Sequence, residues 1–174
     1  WANQHFPQVS INLYSGKDWM TDHLDQWSQE EARITGEKPH ILPLLDPLLD
    51  TTKPLHKLLL IGDAEEIQAL YRAISADDFP STAFYLSKAN YLEVTAKHVS
   101  KEDALVELAN HYHLSLEEVL TMGDNFNDLP MLKKAGIGVA MGNAPQEVKE
   151  EATVVTKTNN ENGAGQAVET YVLI

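Results

Sequence analysis

The chain has 174 residues and no cysteine, so disulfides, thiolate metal sites and a cysteine nucleophile are excluded. Thirteen Lys plus Arg against 26 Asp plus Glu give a formal charge of −13, and no basic cluster offsets it to attract nucleic acid or an anionic membrane. No apolar run approaches the ~18 residues of a membrane span, and the first residues are neither basic nor apolar enough for a signal peptide. A cytoplasmic protein of one domain or two small ones is expected.

Residues 8–15 alternate, with Val9, Ile11 and Leu13 on one side, as in a half-buried strand. Gly16-Lys17-Asp18 reads as a turn, and Trp19-Met20 as the start of a returning strand. Asp22 to Ile34 reads as a helix with Leu24, Trp27 and Ala32 inward, ended by Gly36 and Pro39. Residues 40–56 carry Pro43, Pro47 and Pro54 and read as an irregular connection with one short helical turn. Lys57 to Ile61 is a continuous apolar strand closed by Gly62. Asp63 stands where a cap would open a helix over 64–75, with Ile67, Leu70, Tyr71 and Ile74 at helical spacing. Residues 81–87 and 91–95 alternate as strands around a tight turn at Lys88-Ala89-Asn90. Residues 1–96 thus read as a small α+β domain with a mainly antiparallel sheet.

Residues 96–100 read as a linker into a second domain over 97–174. Ser100 is an N-cap with Asp103 at the capping-box position. Ala104, Leu105, Leu108, Ala109 and Tyr112 are expected to form the inner face of that helix. Ser115 and Glu118 form a second capping box ahead of a strand over 119–122. A helix ended by Gly136 follows, then a strand over Ile137–Ala140 and a helix over Pro145–Glu151. A strand over Thr153–Val155, a polar loop over Asn159–Gly163 and a helix over Ala164–Tyr171 complete the pattern. Strands alternating with helices at this spacing predict a parallel, Rossmann-like sheet.

The chemistry concentrates in the stretch from Thr121 to Leu132, TMGDNFNDLPML. Gly123 reads as the residue that breaks the strand and lets the backbone turn. Asp124 follows at a strand's carboxyl end, where open α/β sheets place ligand sites. Asn127 or Asp128 is placed to cap a new helix, with Pro130 tolerated in its first turn. Hard oxygen ligands at a strand end suit Mg²⁺, and Asn127 offers an amide N–H to a phosphate oxygen. A polar turn with a capping Asp is the plainer alternative. Lys101 stands in the first turn of its helix, where the positive helix end disfavours a lysine unless an anion partners it. His111 and His113 are two apart, share no helix face and read as surface.

Taken in order, VSKEDAL (99–105), GDNFNDLPML (123–132) and AGIGVAMGNAPQEVK (135–149) resemble the C-terminal half of the haloacid dehalogenase (HAD) superfamily, specifically the Cof-type phosphatases with a large α/β cap. The resemblance is close over residues 94–174 and loose before them. It implies an α/β fold: an N-terminally incomplete cap over 1–96 and part of a Rossmann-like core over 97–174. It implies a Mg²⁺-dependent phosphatase acting on small phosphorylated metabolites such as sugar phosphates, with no nucleic-acid or membrane partner. On the family pattern Asp124 ligates the metal, Asp128 supports the metal site from behind, Asn127 contacts phosphate, and Lys101 clamps the phosphoryl group. Asn125 is either part of that site or a turn residue. Gly142 serves close backbone approach. Asn143 either touches the metal's water shell or, more simply, caps the next helix. Glu102 stands where the family most often has glycine.

The family's nucleophile comes from an Asp-x-Asp motif after a first core strand, and no such sequence occurs here. LLDPLLD (44–50) and LIGDAEE (60–66) do not fit it. A chain that begins at Trp1, without methionine, and lacks this motif is expected to be inactive alone. Its nucleophile is expected to lie elsewhere, and a missing N-terminal segment or a second copy is expected to cover the open edge of strand 119–122. The alternative is a non-catalytic HAD-like chain that binds Mg²⁺ or a protein partner. A nucleotide-binding Rossmann domain is disfavoured, because no glycine-rich fingerprint follows a strand.

Overall fold

A computed structural model describes residues 1–50, 52–74 and 78–173; the final residue of the expected 64–75 helix lies outside them. The chain divides into two units, Trp1–Lys97 and His98–Ile174.

In the first unit, β1 (Ser10–Ser15) and β2 (Asp18–Thr21) form the expected hairpin. The sheet is completed by β3 (His40–Ile41), β4 (Lys57–Ile61), β5 (Thr82–Lys88) and β6 (Tyr91–Ala96), in the order β3-β2-β1-β4-β6-β5. Among the described residues of this sheet, only the β2–β3 pair is parallel. The helices are α1 (Ala2–His5), α2 (Gln26–Thr35), α3 (Leu45–Leu49) and α4 (Ala64–Ala73). β4 is apolar from Leu58 to Ile61, and both faces of its buried residues are covered. Leu60 joins Val9, Leu92 and the α4 residues Ile67 and Leu70, while its neighbours Leu59 and Ile61 meet Tyr91, Tyr14 and Trp27. The 40–56 connection holds the short helical turn as α3, and also β3, which no periodicity of two residues can announce.

Local expectations are corrected in α2 and α4. Helix α2 begins at Gln26, not Asp22, because Asp25 caps it: its carboxylate accepts from Ser28 N at 2.7 Å, and Ser28 Oγ accepts from Asp25 N at 3.0 Å. Leu24 therefore precedes the helix and is exposed, and the buried residues of α2 are Ser28 and Glu31. Glu31 is tolerated inside because the Tyr91 hydroxyl donates to it at 2.6 Å. In α4, Asp63 occupies the N-cap without a side-chain cap bond, and Tyr71 is exposed.

The sheet face under α2 carries a buried polar layer. Asn12 donates to Ser10 Oγ and the Leu59 carbonyl and accepts from Trp19 Nε1 at 2.9 Å. Burial, then the nearby Glu31 and Glu93 carboxylates, push the Tyr14 phenol up from 10.0 to about 12. A folded-state value above the unfolded one means a contribution present below pH 10 and lost as pH rises toward 12. The expected result is a fall in stability between pH 10 and 12 that is shallower in Tyr14→Phe, read from urea midpoints across that range. Identical slopes in the two proteins would contradict it.

In the second unit, β7 (Leu120–Gly123), β8 (Ile137–Ala140) and β9 (Val154–Val155) form the expected parallel sheet. The helices α5 (Lys101–His111), α6 (Leu129–Lys134), α7 (Gln146–Glu151) and α8 (Gly163–Tyr171) alternate with it. Leu132, Ala140, Ala144 and Val148 make its buried cluster. The Ser115 capping box forms, over a 3₁₀ turn at Leu116–Glu118. Ser100 accepts from Asp103 N at 2.9 Å. The expected inner face of α5 is too wide: Leu105 and Ala109 are buried, but Ala104, Leu108 and Tyr112 are exposed. α5 lies against α6. The expected polar loop at 159–163 contains a 3₁₀ turn at Asn159–Glu161.

Candidate active site

The loop after β7 is built around one buried carboxylate. Asp128 is only 3% exposed. Its Oδ2 accepts from Asp124 N at 2.9 Å and from Asn125 N at 3.0 Å, and Lys101 Nζ donates to its Oδ1. Two amides and an ammonium thus compensate a charge that burial alone would make costly. Asp128 sits at the N-cap of α6 but makes no cap bond with its side chain. It is directed back into its own loop instead.

This arrangement reassigns Gly123. Its φ is not positive, so no turn demands glycine there. A Cβ on Gly123 would stand 2.3 Å from Asp128 Cβ. Glycine is required because the Asp128 side chain occupies that space.

Asp124 is exposed at the end of β7. Its Oδ2 accepts from Asn143 Nδ2 at 3.1 Å, and its Oδ1 has no protein partner among the described residues. Asn143 does not cap α7; Pro145 holds that position. Gly142 makes the close approach expected of it: its N–H donates to Lys157 O at 3.0 Å, and a Cβ would lie 2.9 Å from Thr158 N. Asn125 Oδ1 accepts from Phe126 N at 2.9 Å. Asn127 is half-buried in the same loop, and no side-chain hydrogen bond involves it among the described residues. Lys101 opens α5, and its side chain is half exposed beside a nearly buried Asp128. Glu102 forms a surface ion pair with Lys134 at 3.2 Å.

The structure therefore brings Lys101, Asp124, Asn127 and Asp128 to the carboxyl end of β7, with Asp128 as the hub. Sequence reasoning placed Asn143 beside the site but did not foresee its bond to Asp124, since no spacing rule links residues 124 and 143. No group of three His, Asp or Glu side chains able to hold a metal occurs among the described residues. The donor chemistry still fits Mg²⁺, which is commonly held by one or two carboxylates together with water and phosphate oxygens. Asp124 supplies one such carboxylate, with one oxygen unused by the protein.

A family model described as haloacid dehalogenase-like hydrolase matches residues 1–168. The chain belongs to the haloacid dehalogenase-like hydrolases. Its Cof-type character, read from the motif order, agrees with the HAD relatives. Over 164 residues this HAD chain is 39% identical to a Haemophilus influenzae protein carrying a provisional phosphatase name, covering 94% of the chain and 60% of that protein. Over 163 residues it is 30% identical to the 5-amino-6-(5-phospho-D-ribitylamino)uracil phosphatase YwtE of Bacillus subtilis, covering 93% of the chain and 56% of that protein. A haloacid dehalogenase-like hydrolase from Bacteroides thetaiotaomicron superposes with a TM-score of 0.76 at 34% identity, over 93% of this chain and 60% of that one. The chain thus spans 60% or less of the length of each of these relatives.

Proposed function

We propose that residues 98–174 carry the lysine-and-acid half of a Mg²⁺-dependent phosphatase site, and that residues 1–97 belong to its cap. The observation that supports this most is the Asp128 hub, which gathers the Lys101 ammonium and the amides of Asp124 and Asn125 at one strand end. In this reading Asp124 holds Mg²⁺ through a carboxylate oxygen. The bound ion neutralises charge on the phosphoryl oxygens. Lys101 and the Asn127 amide bind those oxygens, and Asp128 keeps Lys101 and the loop in place. A positive group is needed here, because a chain of net charge −13 otherwise repels a phosphate ester.

The substrates proposed are small phosphate monoesters, sugar phosphates and similar polyol phosphates. The name of YwtE, whose substrate carries a phosphoribityl chain, supports that class. The nucleophilic aspartate is assigned to a segment outside residues 1–174, because no Asp-x-Asp motif is present. Among the described residues β7 pairs with β8 alone. We assign its free edge to that segment or to a second copy, since an unpaired edge strand readily accepts another.

The test is hydrolysis of p-nitrophenyl phosphate with Mg²⁺, by residues 1–174 alone and by the same residues joined to an N-terminal segment bearing the Asp-x-Asp motif. Activity is expected only in the joined protein. Asp124→Ala and Lys101→Ala are each expected to lower it by about 10²–10³-fold, the order seen when one charge-stabilising group is removed. Turnover by residues 1–174 alone, or full activity in Asp124→Ala, would overturn the reading.

A further inference from the structure

The carboxyl ends of all three parallel strands are tied together through one side chain. Asn143, just after β8, donates from Nδ2 to Asp124 Oδ2 at 3.1 Å, just after β7. Its Oδ1 accepts from the backbone N–H of Asn159, beyond β9, at 3.0 Å. The orientation of this amide is forced. A backbone N–H can only donate and a carboxylate can only accept, so the reverse orientation would set donor against donor and acceptor against acceptor. The backbone around it is equally constrained. Met141 N donates to Gly123 O at 2.9 Å, Gly142 N to Lys157 O at 3.0 Å, and Thr156 N to Ala140 O at 2.9 Å.

We propose that Asn143 is a positioning residue that uses the Asn159 N–H to aim the Asp124 carboxylate, engaging Oδ2 and leaving Oδ1 for the divalent cation. The inference rests on the metal role proposed for Asp124. A carboxylate with one oxygen held by a fixed donor loses rotational freedom before the ion arrives. A neutral amide suits this task better than lysine, because it orients Asp124 without cancelling the charge that attracts the ion. Hydrogen-bond partners of this kind typically change metal affinity by about 10–100-fold.

The link can be cut at either end. Asn143→Ala removes both bonds. Asn159→Pro removes only the backbone donor, and it does so gently: residue 159 is the first residue of its 3₁₀ turn after an extended Thr158, a position that accepts proline. Asn159→Ala keeps the N–H and is the control. The measurement is Mg²⁺ titration of the 174-residue chain, followed by the backbone amide NMR shifts of Gly123 and Asp124, with thermal melts in parallel.

Asn143→Ala is expected to weaken Mg²⁺ about tenfold. Asn159→Pro should weaken it in the same direction, and Asn159→Ala should leave it unchanged. If Asn143 only braces the loop, Asn159→Pro lowers the melting temperature without moving the Mg²⁺ affinity, and the inference falls. Unchanged affinity in Asn143→Ala overturns it as well. If the unsubstituted chain takes up no Mg²⁺, the titration is repeated on the protein joined to the Asp-x-Asp segment, and no uptake there overturns the metal role of Asp124. The link is then decided in the metal-free spectrum, where Asp124→Ala and Asn159→Pro must each shift the Asn143 side-chain amide signals; no shift in either would end it.

Discussion

Asp128→Ala is expected to destabilise the second unit by about 3 kcal/mol, because it removes the acceptor of two loop amides and each unpaired donor costs about 1–3 kcal/mol. Those amides belong to Asp124 and Asn125. Lys101 adds less, because its side chain is half exposed and water replaces its partner. Asp128→Asn separates the two contributions. Its single carbonyl oxygen can serve both amides, as Oδ2 does now, and only the charge pair with Lys101 is lost. Less than half the destabilisation of the alanine variant is therefore expected. Urea denaturation of the three proteins checks both values. Equal losses in Ala and Asn would mean that the ion pair, not the amide cradle, holds the loop.

Gly123→Ala is expected to cost about 1–3 kcal/mol, as overpacking of a well-filled interior does, and to weaken the site beyond that loss. The new methyl would stand 2.3 Å from Asp128 Cβ, so either β7 or the start of α6 must move. Either movement takes Asp128 away from the amides of Asp124 and Asn125 and from Lys101. The contrast is Gly16→Ala. Gly16 has φ 58°, and a methyl there would meet no atom within 4 Å. Its cost is backbone strain of about 1–2 kcal/mol with no effect on the site. Denaturation of both variants, with the Asp124 amide shift read alongside, checks the difference. An unmoved Asp124 signal in Gly123→Ala would show that the loop absorbs the methyl without losing its hub.

These two glycines mark how much of the molecule was legible. In the sequence both look like turn residues, yet one needs a positive φ and the other an empty Cβ position. The first is a local property; the second depends on a side chain folded back across the loop.

What the sequence by itself determined is what neighbouring residues decide among themselves. Alternation in 8–15, 81–87 and 91–95 gave strands, and the continuous run 57–61 gave another. Helical spacing placed Ile67 and Leu70 in the interior, and Ser115 with Glu118 closed a capping box within a single turn. The GDNFND stretch set Asp124, Asn127 and Asp128 on one loop, and its order with VSKEDAL and MGNA carried the family resemblance. The tertiary structure decided whatever needs a distant partner. Glu31 is buried because Tyr91 lies across from it, 60 positions away. Of the apolar positions on α5, Leu105 and Ala109 are the buried ones, where the helix lies against α6. Asn143 holds Asp124 across 19 positions and is held by Asn159 across 16. A hydrogen bond or a packing contact has no sequence period when its two ends arrive on different strands, so only the folded chain discloses it.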